Sequence, residues 1–259
     1  MADGGWWQLS PAGVELCRQA RVECLKLNAT GRDSITPGLI NLVWAIRPSI
    51  RLMVRLMGVI GDPVQYVDER LPSLRVAYEA GCRLFELGNE PNHPVEGWGR
   101  THHSAAAYGV KWAAAERRLR SGFPDAAVLF PCPSPDSSFQ GAQSFHPFLQ
   151  ESSAAARAAG GRWEAWGLHV YWGHAGGQGQ AVEAVRQFCA DYPGPDVYVT
   201  EFSRQPGTDK ANKGQEYKAF VSAQFPVAVK GLFGFVLEAS RGWESETWDA
   251  AIAQAVGSR

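Results

Sequence analysis

Charge of one sign is what this sequence most plainly lacks. Lys and Arg number 25 against 26 Asp and Glu, a formal net charge of -1. Nucleic-acid-binding surfaces carry a strong basic excess, and anionic membrane surfaces select the same feature, so neither partner is expected. Long hydrophobic runs are missing as well. The longest, from Leu39 to Ile46, is interrupted by Asn41 and falls far short of the about 20 apolar residues of a membrane span. The opening Met-Ala-Asp-Gly-Gly-Trp-Trp has neither a basic nor an apolar leader region. No secretory signal is therefore read there, and a cytoplasmic location is the default, with export by another route left open. The five cysteines, Cys17, Cys24, Cys82, Cys132 and Cys189, are odd in number, widely spaced and without a C-x-x-C, so they read as reduced thiols. No G-x-G-x-x-G or Walker sequence follows an early strand and no G-x-S-x-G occurs. The usual nucleotide-phosphate turn and the serine-hydrolase elbow are thereby excluded.

What remains is ordinary globular composition, 45% apolar and 20% charged, with no low-complexity linker dividing the chain. Its 259 residues match a single (β/α)₈ barrel, which typically needs about 250. Short, almost wholly apolar runs recur at Val22–Leu27, Ile50–Met57, Arg83–Leu87, Ala127–Phe130, Trp166–Tyr171, Val197–Thr200 and Leu232–Leu237. That is the pattern of parallel strands covered on both faces. Helical patterns lie between them. Ser10-Pro11, Thr36-Pro37 and Asp62-Pro63 each set an N-cap residue before a first-turn Pro. Ser104 opens an Ala-rich helix toward Arg120, and further helices are expected near Ala181–Ala190, Gly214–Ala223 and Glu246–Val256. Strand alternating with helix predicts an α/β fold, a (β/α)₈ TIM barrel over residues 1–259 as one domain. Only Trp6–Leu9 precedes the first helix, so the first strand is short or missing. A doubly wound open sheet is the competing arrangement.

In such a barrel the catalytic groups stand at the C-terminal ends of the strands. Arg83–Leu87 runs into Gly88-Asn89-Glu90-Pro91-Asn92, Val197–Thr200 into Glu201, and Trp166–Tyr171 carries His169 and Tyr171. Two carboxylates on one pocket are what glycoside hydrolysis requires, one to protonate the leaving oxygen and one to attack the anomeric carbon or activate water. Glu86 alternates onto the same side as Glu90, and a buried carboxylate there needs Lys26 or Arg55 as partner.

Asn89-Glu90-Pro91 closing one strand, His169-x-Tyr171 two strands later and Glu201 after the next resemble the retaining glycoside hydrolases of clan A. The resemblance covers about residues 21–248. It implies Glu90 as general acid/base, Glu201 as nucleophile, and Asn89 as the holder of the sugar 2-hydroxyl. It further implies Tyr171 or His169 as the group orienting the nucleophile, and Arg55 as a cation keeping Glu201 charged. Counting a vacant first strand, Glu90 falls on strand four and Glu201 on strand seven, as in that clan. The clan's Trp on strand eight is not matched, since Val236-Leu237-Glu238-Ala239 stands there; Trp243 is the possible substitute.

Trp98, Trp172 and Trp243 are placed on loops on the active-site side, where aromatic faces suit sugar rings. Trp44, Trp112 and Trp248 are expected to pack helices onto the sheet. His93, His102 and His103 lack metal-ligand spacing and are read as ordinary loop residues. Gly173–Gln180 is read as a Gly-rich rim of the cleft. The expectation is a retaining glycosidase acting on a carbohydrate substrate without cofactor or metal, with the oligomeric state left open. The alternatives are a lapsed barrel that binds carbohydrate or serves as a scaffold, and a barrel using these carboxylates for metal or proton transfer.

Overall fold

The computed structural model describes residues 9–58, 60–93, 104–135, 144–173, 177–204, 209–235, 237 and 247–258. The strands are β1 (Cys24–Ala29), β2 (Arg51–Leu56), β3 (Leu84–Leu87), β4 (Ala127–Phe130), β5 (Ala165–Trp172), β6 (Asp196–Arg204) and β7 (Val229–Gly234). They form one seven-stranded sheet in chain order, and the registered pairs β2–β3, β3–β4, β4–β5 and β6–β7 are all parallel. The helices are α1 (Pro11–Gln19), α2 (Pro37–Ile46), α3 (Pro63–Asp68), α4 (Leu71–Glu79), α5 (Ala105–Gly122), α6 (Phe145–Ala158), α7 (Gln178–Asp191), α8 (Lys210–Val221) and α9 (Ala250–Gly257). A sheet whose spatial neighbours are also sequence neighbours, each joined through a helix, has TIM-barrel topology. Among the described residues α1 precedes β1, so the first strand of an eight-strand count is missing there. Trp6, Trp7 and Gln8 lie outside them.

The expected N-caps at Ser10 and Asp62 form. Ser10 Oγ accepts from Gly13 N–H at 3.1 Å, and Asp62 from Val64 and Gln65 N–H at 2.9 and 2.8 Å. Two helices that periodicity missed, α4 and α6, carry Pro72 and Pro147 in their first turns. A proline there breaks no helical bond, because the first N–H groups have no partner in the helix. Strand limits also shift from expectation, most at β6 and β7. β6 continues four residues past Thr200, because Phe202 still pairs with Gly234 and its carbonyl accepts from Phe235 N–H at 2.9 Å. β7 begins at Val229, opposite Val197, rather than at Leu232. The ladder with β6, not local apolarity, sets both boundaries.

The chain packs as two compact units, Lys26–Thr36 with Leu52–His169, and Met1–Leu25 with Pro37–Arg51 and Val170–Arg259. The core of the first unit gathers Phe85, Tyr108, Trp112, Phe130 and Trp163. Trp112 is fully buried, as expected, and its indole N–H donates to Leu87 O at 3.0 Å, fixing α5 beneath the end of β3. Buried Arg70 donates to Ala29 O at 3.2 Å and to Met57 O at 2.6 Å, tying together the ends of β1 and β2. In the second unit Trp172, Phe202, Tyr217 and Phe220 form one aromatic cluster. Trp44 departs from expectation and is 45% exposed. The buried stripe of α2 is Ile40, Val43 and Ile46, and Trp44 falls outside that three-residue spacing. Trp248 lies ahead of α9 rather than on it, packed against Tyr217.

Helices α5 and α6 approach closely at Gly109, where an added Cβ would stand 2.0 Å from Ser152 O. At Gly122 the nearest atom would be Leu71 Cδ2 at 3.7 Å, an ordinary contact. Gly109→Ala is therefore expected to destabilise the protein by about 1–3 kcal/mol. Gly122→Ala should be neutral or stabilising by up to about 1 kcal/mol. Thermal and urea unfolding of the two variants measure this contrast.

Candidate active site

Sequence and backbone chemistry shape the segment after β3. Gly88 has φ +113°, and a Cβ there would press on the Tyr108 hydroxyl at 3.3 Å and Pro131 Cγ at 3.4 Å. Glu90 follows with φ +36°, a left-handed backbone that a side-chain-bearing residue adopts at a cost. Neighbouring contacts hold it there. Glu90 O accepts from His93 N–H at 2.9 Å. Asn92 grips the backbone after β4 from both sides, its Nδ2 donating to Ser134 O at 3.1 Å and its Oδ1 accepting from Ser134 N–H at 2.6 Å. Asn89 is buried beside Glu90. Strain of this kind persists only where the surroundings over-determine it, which is common at functional sites.

The Glu90 carboxylate meets buried His169 from β5, Nδ1 to Oε1 at 2.8 Å. The other ring nitrogen, Nε2, lies 3.2 Å from Nη2 of Arg55 on β2. Arg55 in turn donates from Nε to Glu86 Oε2 on β3 at 2.6 Å, and Lys26 Nζ on β1 lies 3.9 Å from the same oxygen. Both partners anticipated for Glu86 are thus present. Arg55 and Glu86 share one sheet row. The ladder bond from Met57 N–H to Ala29 O at 3.0 Å brings Asn28 onto that row too. Burial, the largest single influence, pushes the Glu86 carboxyl up, but Arg55 and Lys26 outweigh it and hold the group below its ordinary value.

In the second unit, Glu201 lies within β6 and is buried. It was expected just past the strand end, and the longer β6–β7 ladder is what encloses it. The Tyr171 hydroxyl on β5 donates to Glu201 Oε2. Sequence reasoning offered Tyr171 or His169 for this carboxylate; in the structure Tyr171 meets Glu201 and His169 meets Glu90. Trp172 is the last residue of β5 and not a loop residue. Its indole donates to Glu216 Oε2 at 2.6 Å, and its ring stacks on Phe202 and Phe220. It is 5% exposed, so its faces pack the unit's interior.

Trp98, Trp243, His102 and His103 lie outside the described residues, as do 174–176 of the Gly-rich stretch. Gln178–Gln180 of that stretch are already the first turn of α7. His93 is buried. Among the described residues no cluster of three His, Cys, Asp or Glu side chains is arranged around a metal position. All five cysteines are free thiols, and no described helix is long and apolar enough to cross a membrane. The residues that sequence reasoning missed are Asn28, Asn92 and Glu216. Asn28 had a usable signal, since it is polar within an apolar strand and two residues from Lys26.

Sequence comparison finds no matching family and no matching curated protein. Structural comparison does find likenesses. A GH128 (subgroup II) endo-β-1,3-glucanase from Sorangium cellulosum superposes with TM-score 0.67 at 16% identity, covering 98% of this chain and 97% of that one. The chain has a TIM-barrel fold. A GH128 (subgroup III) curdlan-specific exo-β-1,3-glucanase from Blastomyces gilchristii, solved with glucose, gives TM-score 0.59 at 14% identity over 99% of both chains. Gas2p of Saccharomyces cerevisiae, solved with laminaripentaose, gives 0.63 at 12% identity over 95% of this chain and 57% of that one.

The Glu86 carboxyl yields a pH prediction. A carboxyl held low in the folded state adds stability above its unfolded value, and that stability is lost as pH falls through the folded value. Wild-type stability should therefore decline on acidification below about pH 4. Glu86→Gln should cost about 3–5 kcal/mol at neutral pH, because Arg55 loses its buried counter-ion. It should also flatten the acid decline, as measured by urea unfolding at several pH values.

Proposed function

We propose that this protein is a glycoside hydrolase that cleaves β-1,3-glucan by double displacement, with Glu90 as general acid/base and Glu201 as nucleophile. The observation that carries the reading is the treatment of the two glutamates that follow from the strand-four and strand-seven pattern. Glu201 is buried and Glu90 partly so, and a ring donor meets each carboxylate, His169 for Glu90 and Tyr171 for Glu201. The β-1,3-glucanase neighbours support the substrate class.

In the first step Glu90 gives its proton to the departing glycosidic oxygen while a Glu201 oxygen bonds the anomeric carbon. In the second, water attacks that carbon, its proton passes to Glu90, and Glu201 leaves as carboxylate. Tyr171 orients Glu201 and lowers the charge density on the oxygen that does not attack. Asn89 is assigned to the sugar 2-hydroxyl, whose hydrogen bond strengthens toward the oxocarbenium-like transition state. Asn28 is a further binding candidate. Its Oδ1 is buried and meets no donor among the described residues, and a sugar hydroxyl supplies one.

Glu201→Ala is expected to abolish β-1,3-glucan hydrolysis, and Glu90→Ala to reduce it about 10²–10⁴-fold, both with unchanged circular dichroism. The first sugar released by the wild type should carry the β anomer, read by proton NMR. The carboxyl groups should stand about 5–5.5 Å apart in a crystal structure with bound oligosaccharide. Full activity in either variant refutes the assignment. Oligosaccharide binding without turnover by the wild type selects a lapsed, carbohydrate-binding barrel instead.

Asn28→Leu separates binding from folding. Removing an unsatisfied buried carbonyl should leave stability unchanged or higher by about 1 kcal/mol, while kcat/KM falls about tenfold with the lost hydrogen bond. Parallel loss of stability and activity would assign Asn28 to packing.

A further inference from the structure

His169 stands between two groups that make opposite demands on its ring. An arginine guanidinium has five N–H donors and no acceptor. The approach of Arg55 Nη2 to His169 Nε2 at 3.2 Å is therefore a hydrogen bond only if Nε2 carries a lone pair. The ring proton must then reside on Nδ1, which points at Glu90 Oε1 from 2.8 Å. Arg55 cannot turn away easily, because its Nε is tied to the fully buried Glu86 at 2.6 Å. Charged groups around the ring lie on β1, β2 and β3 and on the segment after β3. Glu90 and Glu86, from β3 and the segment after it, favour an imidazolium, and Arg55 on β2 and Lys26 on β1 oppose it. The deciding factor is geometric, because an N–H on Nε2 would face the Arg55 donor at 3.2 Å, too close for a water to lie between them.

We propose that Arg55 locks His169 in the neutral Nδ1–H tautomer, and that His169 thereby makes the two oxygens of Glu90 unequal, Oε1 a standing acceptor and Oε2 the oxygen that carries the catalytic proton. A proton on Oε1 would face the Nδ1–H donor, so protonated Glu90 holds its hydrogen on Oε2. When the glycosidic bond breaks, the Oε2–H proton moves to the leaving oxygen and the electron pair stays on Glu90. When water attacks, its proton returns to Oε2. His169 keeps its own proton throughout and is a positioning residue. This inference rests on the acid/base assignment of Glu90 made above. It adds a role for the row of charges beneath it, which is to set which oxygen works rather than to take part in the transfer.

The first test reads the ring without requiring turnover. In ¹⁵N-labelled full-length protein, with His169 picked out from the six histidines by comparison with His169→Gln, two-bond ¹H–¹⁵N spectra should show a protonated Nδ1 and a bare Nε2. That pattern is read at neutral pH. A protonated Nε2 overturns the proposal. The second test reads the proton transfer. His169→Ala should lower kcat/KM about 10²-fold on β-1,3-glucan but far less on a dinitrophenyl β-glucoside, whose leaving group departs without a proton. His169→Asn, which presents an amide N–H near the Nδ1 position, should recover part of the loss. Equal losses on both substrates make His169 merely structural and overturn the proposal. If the wild type hydrolyses neither substrate, the acid/base reading of Glu90 fails, whereas the tautomer lock is still decided by the ring spectra.

Discussion

The buried pair of Arg55 and Glu86 is the constraint on which the candidate acid depends. Two charges inside a strand row, 2% and 0% exposed, are costly to desolvate and tolerable only when they satisfy one another. That requirement binds β2 to β3 in a single register and points the guanidinium at His169. His169 can then meet Glu90 at one nitrogen only. Sheet pairing, charge pairing and side-chain orientation are thus one linked arrangement in this half of the molecule. Lys26 and Asn28 extend the polar row to β1.

The carboxylate in the other unit is treated differently. Glu201 sits inside a strand, held by the backbone ladder that runs on to Arg204, and its donor is a phenol rather than an imidazole. A tyrosine hydroxyl is a neutral hydrogen-bond donor, which suits the carboxylate that the proposed nucleophile role requires. An imidazole with its second nitrogen fixed by an arginine suits a carboxyl that gains and loses a proton, because the ring tolerates either state of its partner. The two glutamates therefore have different environments, which is compatible with the division of acid and nucleophile roles proposed for them.

Aromatic residues divide along similar lines. Trp112 and Trp172 each spend the indole N–H on a buried acceptor, Leu87 O and Glu216 respectively, and both pack the interior beneath strand ends. Large rings near a sugar-binding face are easily read as platforms for substrate. Here Trp172 instead joins β5 to β6 and α8 through Phe202, Tyr217 and Phe220, and so fixes the strand that carries Tyr171.

Apolar runs of four to eight residues, separated by proline-marked helix starts, determined the strand–helix alternation and hence the fold class, because parallel strands buried on both faces leave that pattern locally. Asn89-Glu90-Pro91, His169-x-Tyr171 and Glu201 were legible for the same reason, since strand ends and their residues are read in order along the chain. The Glu86 pairing was legible too, because alternation along a strand places Glu86 and its cations on one face. What only the tertiary structure decided depends on partners distant in sequence. The ladder with β7 extended β6 around Glu201, and the narrow stripe of α2 left Trp44 in solvent. Helices α4 and α6 have no side-chain N-cap bond at their starts and became visible only in their packing. Above all, the division of His169 to Glu90 and Tyr171 to Glu201 was open in the sequence, since residues two apart on a strand share a face. Hydrogen-bond geometry across strands, set by which donor reaches which oxygen, is not written in local pattern.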